Sequence, residues 1–175
     1  MTREELGKQI YDAAHITGEF LLRSGQISNE YFDKYKFESI PELLDEIGTH
    51  MKKLIPEGSE ILAGLEMGGI PLSTVLSIKS GIPSVLVRKK AKEYGTRKLA
   101  EGTDFDGKKV CVIEDVVTTG GQIVTSVKEL RERGAVIENV ICVILRDPKA
   151  YENLGNAGLK LTPLFTMEEL KEIAE

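Results

Sequence analysis

With 175 residues, the chain has about the length of one domain, so one hydrophobic core is expected. Hydrophobic residues make up 41% and charged residues 29%, values near globular averages that exclude a disordered or collagen-like chain. The net charge of -5 argues against a general nucleic-acid or anionic-membrane surface, so any anion site must be local. Arg3 and Glu4 stand where a signal peptide needs apolar residues, and no apolar run approaches the ~20 residues of a membrane span. The sequence therefore predicts a cytoplasmic chain with neither membrane nor nucleic-acid partners.

Helix-start signals appear twice in the N-terminal part of the chain. Thr2 and Glu5 form a capping-box pattern ahead of apolar residues at helical spacing, so a helix is expected to begin here and end near Gly18. A second amphipathic helix is expected over 41–55, with Ser39 as its cap. Between the helices, a polar insert with a glycine separates two short apolar segments, which predicts a hairpin.

Short apolar runs alternate with helical stretches from residue 61 onward. This alternation predicts βαβ units around a parallel sheet. Cys111 and Cys142 lie inside apolar runs and are predicted to be buried free thiols. The elements predicted by pattern are hairpin segments 20–22 and 27–32, strands 61–65, 85–87, 110–113 and 140–145, helices 71–79 and 122–133, and a closing helix capped by Thr166.

The segment 110–122 carries the strongest chemical signal. An apolar strand is followed by Glu114 and Asp115, and a turn of two threonines and two glycines precedes a helix. Ligands of open α/β sheets bind beyond the carboxyl ends of the strands, and a helix N-terminus offers free N–H groups to an anion. We therefore expect the turn to bind a phosphate and the two carboxylates to accept hydrogen bonds from a ribose. Ribose 5-phosphate satisfies both requirements.

Residues 112–122 resemble the phosphoribosyl diphosphate (PRPP) signature of the type I phosphoribosyltransferases. The resemblance implies an α/β fold with a parallel sheet flanked by helices, a small N-terminal hood and a flexible catalytic loop. It implies one domain over 1–175, with the hood at about 1–40 and the core at about 60–146. Mg²⁺ would be carried by PRPP, with no protein side chain as a direct ligand. The signature residues assigned to PRPP are Glu114, Asp115, Val116, Val117, Thr118, Thr119, Gly120, Gly121 and Gln122.

A basic segment over 88–105 resembles the catalytic loop of the orotate phosphoribosyltransferases. Read alone, it is equally compatible with a solvated basic turn. On a mobile loop, its cations would cover the diphosphate and neutralise charge on the leaving group. Tyr94 stands where better-known members have histidine. The resemblance implies a homodimer in which this lid loop completes the partner's site. It assigns catalysis to Lys92, Glu114 and Asp115, and PRPP contacts to Arg88, Lys89, Lys92 and Tyr94.

Three further segments resemble the same enzymes. The hood would place Arg23 on PRPP, and Tyr31 and Phe32 on the base. Residues 64–71 resemble the diphosphate loop, with Gly68 where many members carry lysine. Arg146 falls where the family's arginine pairs with orotate, and an arginine fork is suited to bind a carboxylate in two places. The orotate contacts implied are Tyr31, Phe32, Thr118 and Arg146.

The implied activity is that of a glycosyltransferase. It would move the 5-phosphoribosyl group of PRPP to N1 of orotate, giving orotidine 5'-monophosphate and diphosphate in UMP biosynthesis. One alternative is a phosphoribosyltransferase for a purine or uracil, whose base offers Arg146 no carboxylate. The other is a regulator that binds PRPP without turnover, for which 175 residues leave little room for an effector domain.

Overall fold

The structure is a computed structural model that describes residues 1–22, 25–91 and 99–175. The roles expected of Arg23, Lys92 and Tyr94 lie outside these residues. The helices are α1 (Arg3–Ala14), α2 (Lys34–Glu38), α3 (Pro41–Met51, continued by a 3-10 turn Lys52–Leu54), α4 (Gly69–Ser80), α5 (Gly121–Glu132), α6 (Lys149–Asn156) and α7 (Met167–Ala174). The strands are β1 (His15–Leu21), β2 (Ile27–Phe32), β3 (Ile61–Leu65), β4 (Ser84–Val87), β5 (Ala100–Gly102), β6 (Lys109–Val117), β7 (Val136–Leu145) and β8 (Lys160–Thr166).

Six strands form one twisted sheet in the order β5-β4-β3-β6-β7-β8. Only β5 runs antiparallel to its neighbour among these described strands. From the centre, β3-α4-β4 leads toward one edge and β6-α5-β7 toward the other, so the strand order reverses between β3 and β6. The carboxyl ends at such a switch point are where open α/β sheets bind ligands. The predicted α/β class with a mainly parallel sheet flanked by helices is confirmed. No helix within the described ranges is long and apolar enough to cross a membrane.

Helices cover both faces of the sheet. One hydrophobic cluster joins α5 and α6 to the sheet, and the other joins α1, α3, α4 and α7 to the opposite face. Alternate residues of β6 enter alternate clusters, as the two-residue period of a strand requires: Val110 and Val112 enter the first, Cys111 and Ile113 the second.

Both cysteines are free and lie in central strands. Cys111 is 1% exposed and belongs to the cluster of α1, α3, α4 and α7, whereas Cys142 is 0% exposed and belongs to the cluster of α5 and α6. Burial raises the pKa of Cys111 to about 12 and also raises that of Cys142. The prediction of two buried thiols is confirmed.

Several predicted boundaries match the structure closely. Thr2 and Thr166 each form a complete capping box, with side-chain bonds in both directions. Gly81 ends α4 with φ of 78°, and Gly134 follows α5 with φ of 93°, both in the left-handed region that favours glycine. Predicted strand 61–65 has the bounds of β3.

Three predictions in the N-terminal part of the chain are wrong. The first helix ends at Ala14 and not near Gly18, because the chain enters β1 at once and pairs with β2. Ser39 does not cap α3: the N-cap is Ile40, which makes no side-chain cap bond, and the Ser39 hydroxyl instead donates to the carbonyl of Lys36 at 2.8 Å. The helix also ends earlier than residue 55, since its last turn tightens to 3-10 geometry.

Four of the described elements were not predicted from the sequence. The five-residue α2 is too short to show a period, and α6 and β8 follow the last predicted strand. β8 contains Pro163, which cannot donate to a ladder, and it lies accordingly at the edge of the sheet. β5 lies inside the predicted loop 88–105, so that the end of this segment is a paired strand.

Candidate active site

The turn after β6 presents backbone N–H groups at the switch point. β6 continues to Val117, so Glu114 and Asp115 lie within the strand and the turn proper begins at Thr118. Gly120 is the N-cap of α5 with φ of 80°, and a Cβ there would come within 3.0 Å of Leu154 Cγ. The left-handed conformation therefore favours glycine, and a larger residue would also have to shift the Leu154 side chain. Since no side chain caps α5, its first N–H groups remain available to an anion.

A cavity of about 180 Å³ lies against this turn. The α6 side chain Asn153 supports it by donating from Nδ2 to the carbonyl of Thr119 at 2.8 Å, a contact that no sequence pattern indicated. The structure thus brings nearly all of the predicted phosphate-binding segment to one cavity. Its lining residues are Glu114, Val116, Val117, Thr118, Thr119, Gly120, Gly121, Gln122 and Ile123.

The two adjacent carboxylates have different surroundings. Glu114 is partly exposed and lines the cavity, whereas the Asp115 side chain is 0% exposed. Asp115 Oδ1 accepts the Val116 N–H at 2.6 Å, and its Oδ2 lies 2.6 Å from Lys34 Nζ of α2. The Asp115 N–H donates to Glu114 Oε1 at 3.0 Å. Glu114 therefore faces the cavity, whereas Asp115 is held in the protein interior.

Charge in this cluster is concentrated on one ion pair. Burial opposes the ionisation of Asp115, but hydrogen bonds with Glu114 and Lys34, together with the charge of Lys34, outweigh it and lower the pKa of Asp115. Burial and the contact with Asp115 hold the pKa of Glu114 well above its ordinary value. Burial lowers the pKa of Lys34, but the bond to Asp115 more than reverses this and the net pKa is raised. The cluster thus contains an ionised Lys34–Asp115 pair beside a carboxyl that favours its protonated form.

The loop between β3 and α4 closes against the same carboxylate. Gly68 lies so near that a Cβ at this position would overlap Asp115 Oδ2. Glu66 Oε1 accepts the Lys89 N–H at 2.8 Å, which ties this loop to the start of the predicted lid. A residue with a side chain at position 68 would therefore displace Asp115 from the position it occupies.

At the base of the lid, the Arg88 N–H donates to the carbonyl of Leu99 at 2.9 Å, and an Arg88 guanidinium nitrogen lies 3.8 Å from Glu101 Oε1. Residues 92–98, which include Lys92 and Tyr94, lie outside the described part of the chain.

A second cavity of about 210 Å³ lies under the hood. Three of the predicted orotate contacts, Tyr31, Phe32 and Arg146, line it together, whereas Thr118 lines the cavity at the turn. The Arg146 N–H donates to the carbonyl of Val117 at 2.8 Å, so the hood cavity adjoins the end of β6. Leu22 and Ser28, which belong to the segment that resembles the hood, also line it. The remaining lining residues come from α1, β1, β2 and α7 and had no sequence signal: Tyr11, His15, Glu30, Met167 and Lys171.

One hydrogen-bonded pair of side chains forms part of this lining. His15 Nε2 lies 2.8 Å from Glu30 Oε2, and the His15 ring stacks on Tyr11 with centroids 4.9 Å apart. Within 1–22, 25–91 and 99–175, no group of three or more His, Cys, Asp or Glu is placed to hold a metal ion.

The parallel strands, with a glycine turn and an acidic pair at their carboxyl ends, agree with comparison to known proteins. The model of the phosphoribosyl transferase domain matches residues 35–160, and the chain belongs to the phosphoribosyltransferase family. The orotate phosphoribosyltransferase of Nocardioides sp. is 46% identical over 170 residues, which cover 97% of this chain and 95% of that one. That of Methanocella arvoryzae is 46% identical over 153 residues, or 87% of each chain.

Solved structures agree with these relatives. Orotate phosphoribosyltransferase of Mycobacterium tuberculosis in complex with 5-phospho-alpha-D-ribosyl 1-diphosphate matches with a TM-score of 0.82 and 26% identity, over 97% of this chain and 98% of that one. Within its family, the chain is therefore a member of the orotate phosphoribosyltransferase group.

Proposed function

We propose that this chain transfers the 5-phosphoribosyl group of PRPP to N1 of orotate, releasing diphosphate and orotidine 5'-monophosphate for UMP synthesis. The observation that carries the proposal is the position of Arg146, which lines the hood cavity with two aromatic side chains and is bonded through its backbone to the end of β6. A guanidinium at this place is suited to pair with the orotate carboxylate. The names of the relatives support the same substrate.

The phosphate-binding turn would hold the 5'-phosphate of PRPP. Residues 118–122 offer backbone N–H groups, threonine hydroxyls and the positive end of α5. Glu114, at the cavity surface, would accept hydrogen bonds from the ribose hydroxyls, with Asp115 behind it. These contacts fix C1 of the ribose for attack by the base. Catalysis then rests mainly on positioning and on charge placed where it develops.

The leaving diphosphate needs positive charge that the described turn does not supply. We propose that Mg²⁺ is carried on the diphosphate and ribose oxygens of PRPP, since Mg²⁺ prefers oxygen ligands and commonly binds with substrate phosphates. When bound, the ion neutralises the charge that develops on the diphosphate. Arg88 and Lys89, at the start of the lid, lie beside the loop that packs on Asp115 and would add to this charge.

The lid is proposed to act between subunits. In the homodimer expected from the sequence, residues 88–105 of one subunit would complete the site of the other. We expect Lys92→Ala to lower turnover by on the order of 10²-fold, as loss of a charge partner in the transition state does. Steady-state turnover equal to that of the wild type would contradict the assignment. The cytoplasmic location likewise stays a prediction.

The function is tested by incubating the purified chain with PRPP, Mg²⁺ and orotate and following orotate absorbance. Uracil, adenine, hypoxanthine and xanthine are assayed in parallel as alternative acceptors. Loss of orotate alone, dependent on Mg²⁺, would support the proposal. Turnover of another base in place of orotate would overturn the role of Arg146, and PRPP binding without turnover of any base would favour a regulator.

A further inference from the structure

A lysine outside the PRPP signature makes the shortest ion pair of the site. Lys34 opens α2, directly after the hood strand β2, and its Nζ lies 2.6 Å from Asp115 Oδ2. The Asp115 side chain is 0% exposed, and that of Lys34 is 32% exposed. A charge buried to this degree needs a partner, because an isolated ion in a protein interior is strongly disfavoured.

The hood holds Lys34 firmly in its place. Asp33 caps α2 by accepting the Tyr35 N–H at 3.2 Å, and the Asp33 N–H donates to the carbonyl of Ala14 at the end of α1. Phe32, which lines the hood cavity, precedes this cap by one residue. The segment that carries the base-facing aromatics thus also carries the cation on Asp115.

Asp115 has little room to adopt another position. Its Oδ1 accepts the Val116 N–H, and Gly68 packs against Oδ2 so closely that a Cβ there would overlap it. Lys34 approaches that same oxygen from α2. The lysine therefore closes the last side of the carboxylate. Glu114 is held beside it, because its Oε1 accepts the backbone N–H of Asp115.

We propose that Lys34 is a positioning residue for phosphoribosyl transfer, which holds Asp115 charged and fixed behind Glu114 and so connects the hood to the ribose-binding pair. The inference rests on the proposed function of the acidic pair. Lys34 itself is not assigned a contact with substrate.

The charges around Asp115 explain why the lysine matters. Besides Lys34, the titratable groups that interact with Asp115 are Glu38 on α2, Glu114 on β6 and Cys142 on β7. Tyr35 interacts with Lys34, and Asp33 with Glu38. Lys34 is the one cation in this set of described residues. Without it, no cation in this set offsets the burial that opposes the ionisation of Asp115, so the pKa of Asp115 would rise. A protonated Asp115 would no longer hold Glu114 in the same way.

A double-mutant cycle tests the proposal. Lys34→Met and Lys34→Gln are each made in the wild type and in Asp115→Asn, and kcat and KM for PRPP are measured from acid to alkaline pH. Lys79→Met is the matched control, because Lys79 is a half-buried lysine paired with Asp45 at 2.8 Å, away from the site. Circular dichroism verifies that each variant is folded.

We expect Lys34→Met to lower kcat/KM for PRPP by roughly 10²-fold near neutral pH, the size of effect that a displaced catalytic group produces. The acid limb of the pH profile of kcat/KM should move to higher pH in Lys34→Met. In the Asp115→Asn background, Lys34→Met should cause almost no further loss of kcat/KM. Lys79→Met should leave both parameters unchanged.

Three results would overturn the proposal. One is an equal loss from Lys34→Met with and without the Asp115 carboxylate, and another is an equal loss at every pH. The third is unfolding of both Lys34→Met and Lys34→Gln, since Lys34 would then serve the fold alone. If the wild type does not turn over orotate, the proposed function fails by itself. In that case the PRPP affinities of the same variants are measured by calorimetry. Energetic coupling between Lys34 and Asp115 in these affinities would support the positioning role, and additive effects would contradict it.

Discussion

Glu38, on the buried side of α2, makes the stability of the fold depend on pH. The side chain is 9% exposed, and its Oε1 has no hydrogen-bond partner among the described residues. Burial, followed by the negative charge of Asp115 and a hydrogen bond with it, raises the pKa of Glu38 from 4.5 to about 8. The perturbation that isolates this effect is Glu38→Gln, which keeps the shape of the side chain and removes its ionisation.

The size of the effect follows from the two pKa values. In the unfolded chain Glu38 loses its proton near its ordinary pKa of 4.5, but in the folded protein it keeps the proton up to about 8. The stability that Glu38 contributes is therefore complete below its unfolded-state pKa of 4.5, and it is lost as pH rises through the folded-state pKa of about 8. Between them, unfolding releases about one proton, which costs the fold about 1.4 kcal/mol per pH unit. From about pH 5 to pH 7.5, the relative loss is on the order of 3 kcal/mol.

Urea unfolding followed by circular dichroism measures this loss. The free energy of unfolding of the wild type should fall relative to that of Glu38→Gln across this pH range, at one fixed protein concentration. Glu57→Gln, at an exposed glutamate in a loop, is the control and should run parallel to the wild type. A Glu38→Gln curve parallel to the wild type would refute the reasoning, whatever the constant offset between them.

Three further substitutions test the site and the fold. Arg146→Ala should raise KM for orotate by about 10 to 10²-fold, because it removes a charge-assisted hydrogen bond to the base. KM for PRPP should be unchanged in the same steady-state assays. An unaltered KM for orotate would remove Arg146 from the base site. Gly68→Ala should weaken PRPP binding by at least about tenfold in calorimetry, because its methyl group would displace Asp115, whereas Gly155→Ala, with open space around it, should not. Equal affinities would show that the carboxylate position is not needed. Thr166→Ala should lower the free energy of unfolding by about 1 kcal/mol through loss of its cap, and an unchanged urea midpoint would contradict that.

The central βαβ units were predictable because their signals are local. Strand β3 is an apolar run of five residues, and α4 and α5 are closed by glycines in the left-handed region. The turn at residues 118–121 was predictable for the same reason. Its glycines allow a left-handed conformation, and its threonines supply hydroxyl groups, all within a few residues. Such features are determined by residues that are close together in the sequence, so a local sequence pattern predicts them.

What escaped prediction depends on distant contacts. Pro163 weakens the strand pattern of β8, and only its place at the sheet edge makes it acceptable. Lys34 sits in a helix of five residues, and nothing in its neighbours along the chain shows that it meets Asp115. The hood cavity likewise joins Tyr11 near the start of the chain to Lys171 near its end. Residues that lie together only after the sheet is assembled leave no local period or motif.

The two buried thiols give the molecule a pair of internal reporters. Cys111 lies under one helical layer and Cys142 under the other, so a thiol reagent reaches each only when its own side of the sheet opens. Labelling rates at the two positions therefore distinguish opening of the layer of α1, α3, α4 and α7 from opening of the layer of α5 and α6. Equal rates would mean that the sheet and both layers open as one cooperative unit, and unequal rates would identify the layer that opens first.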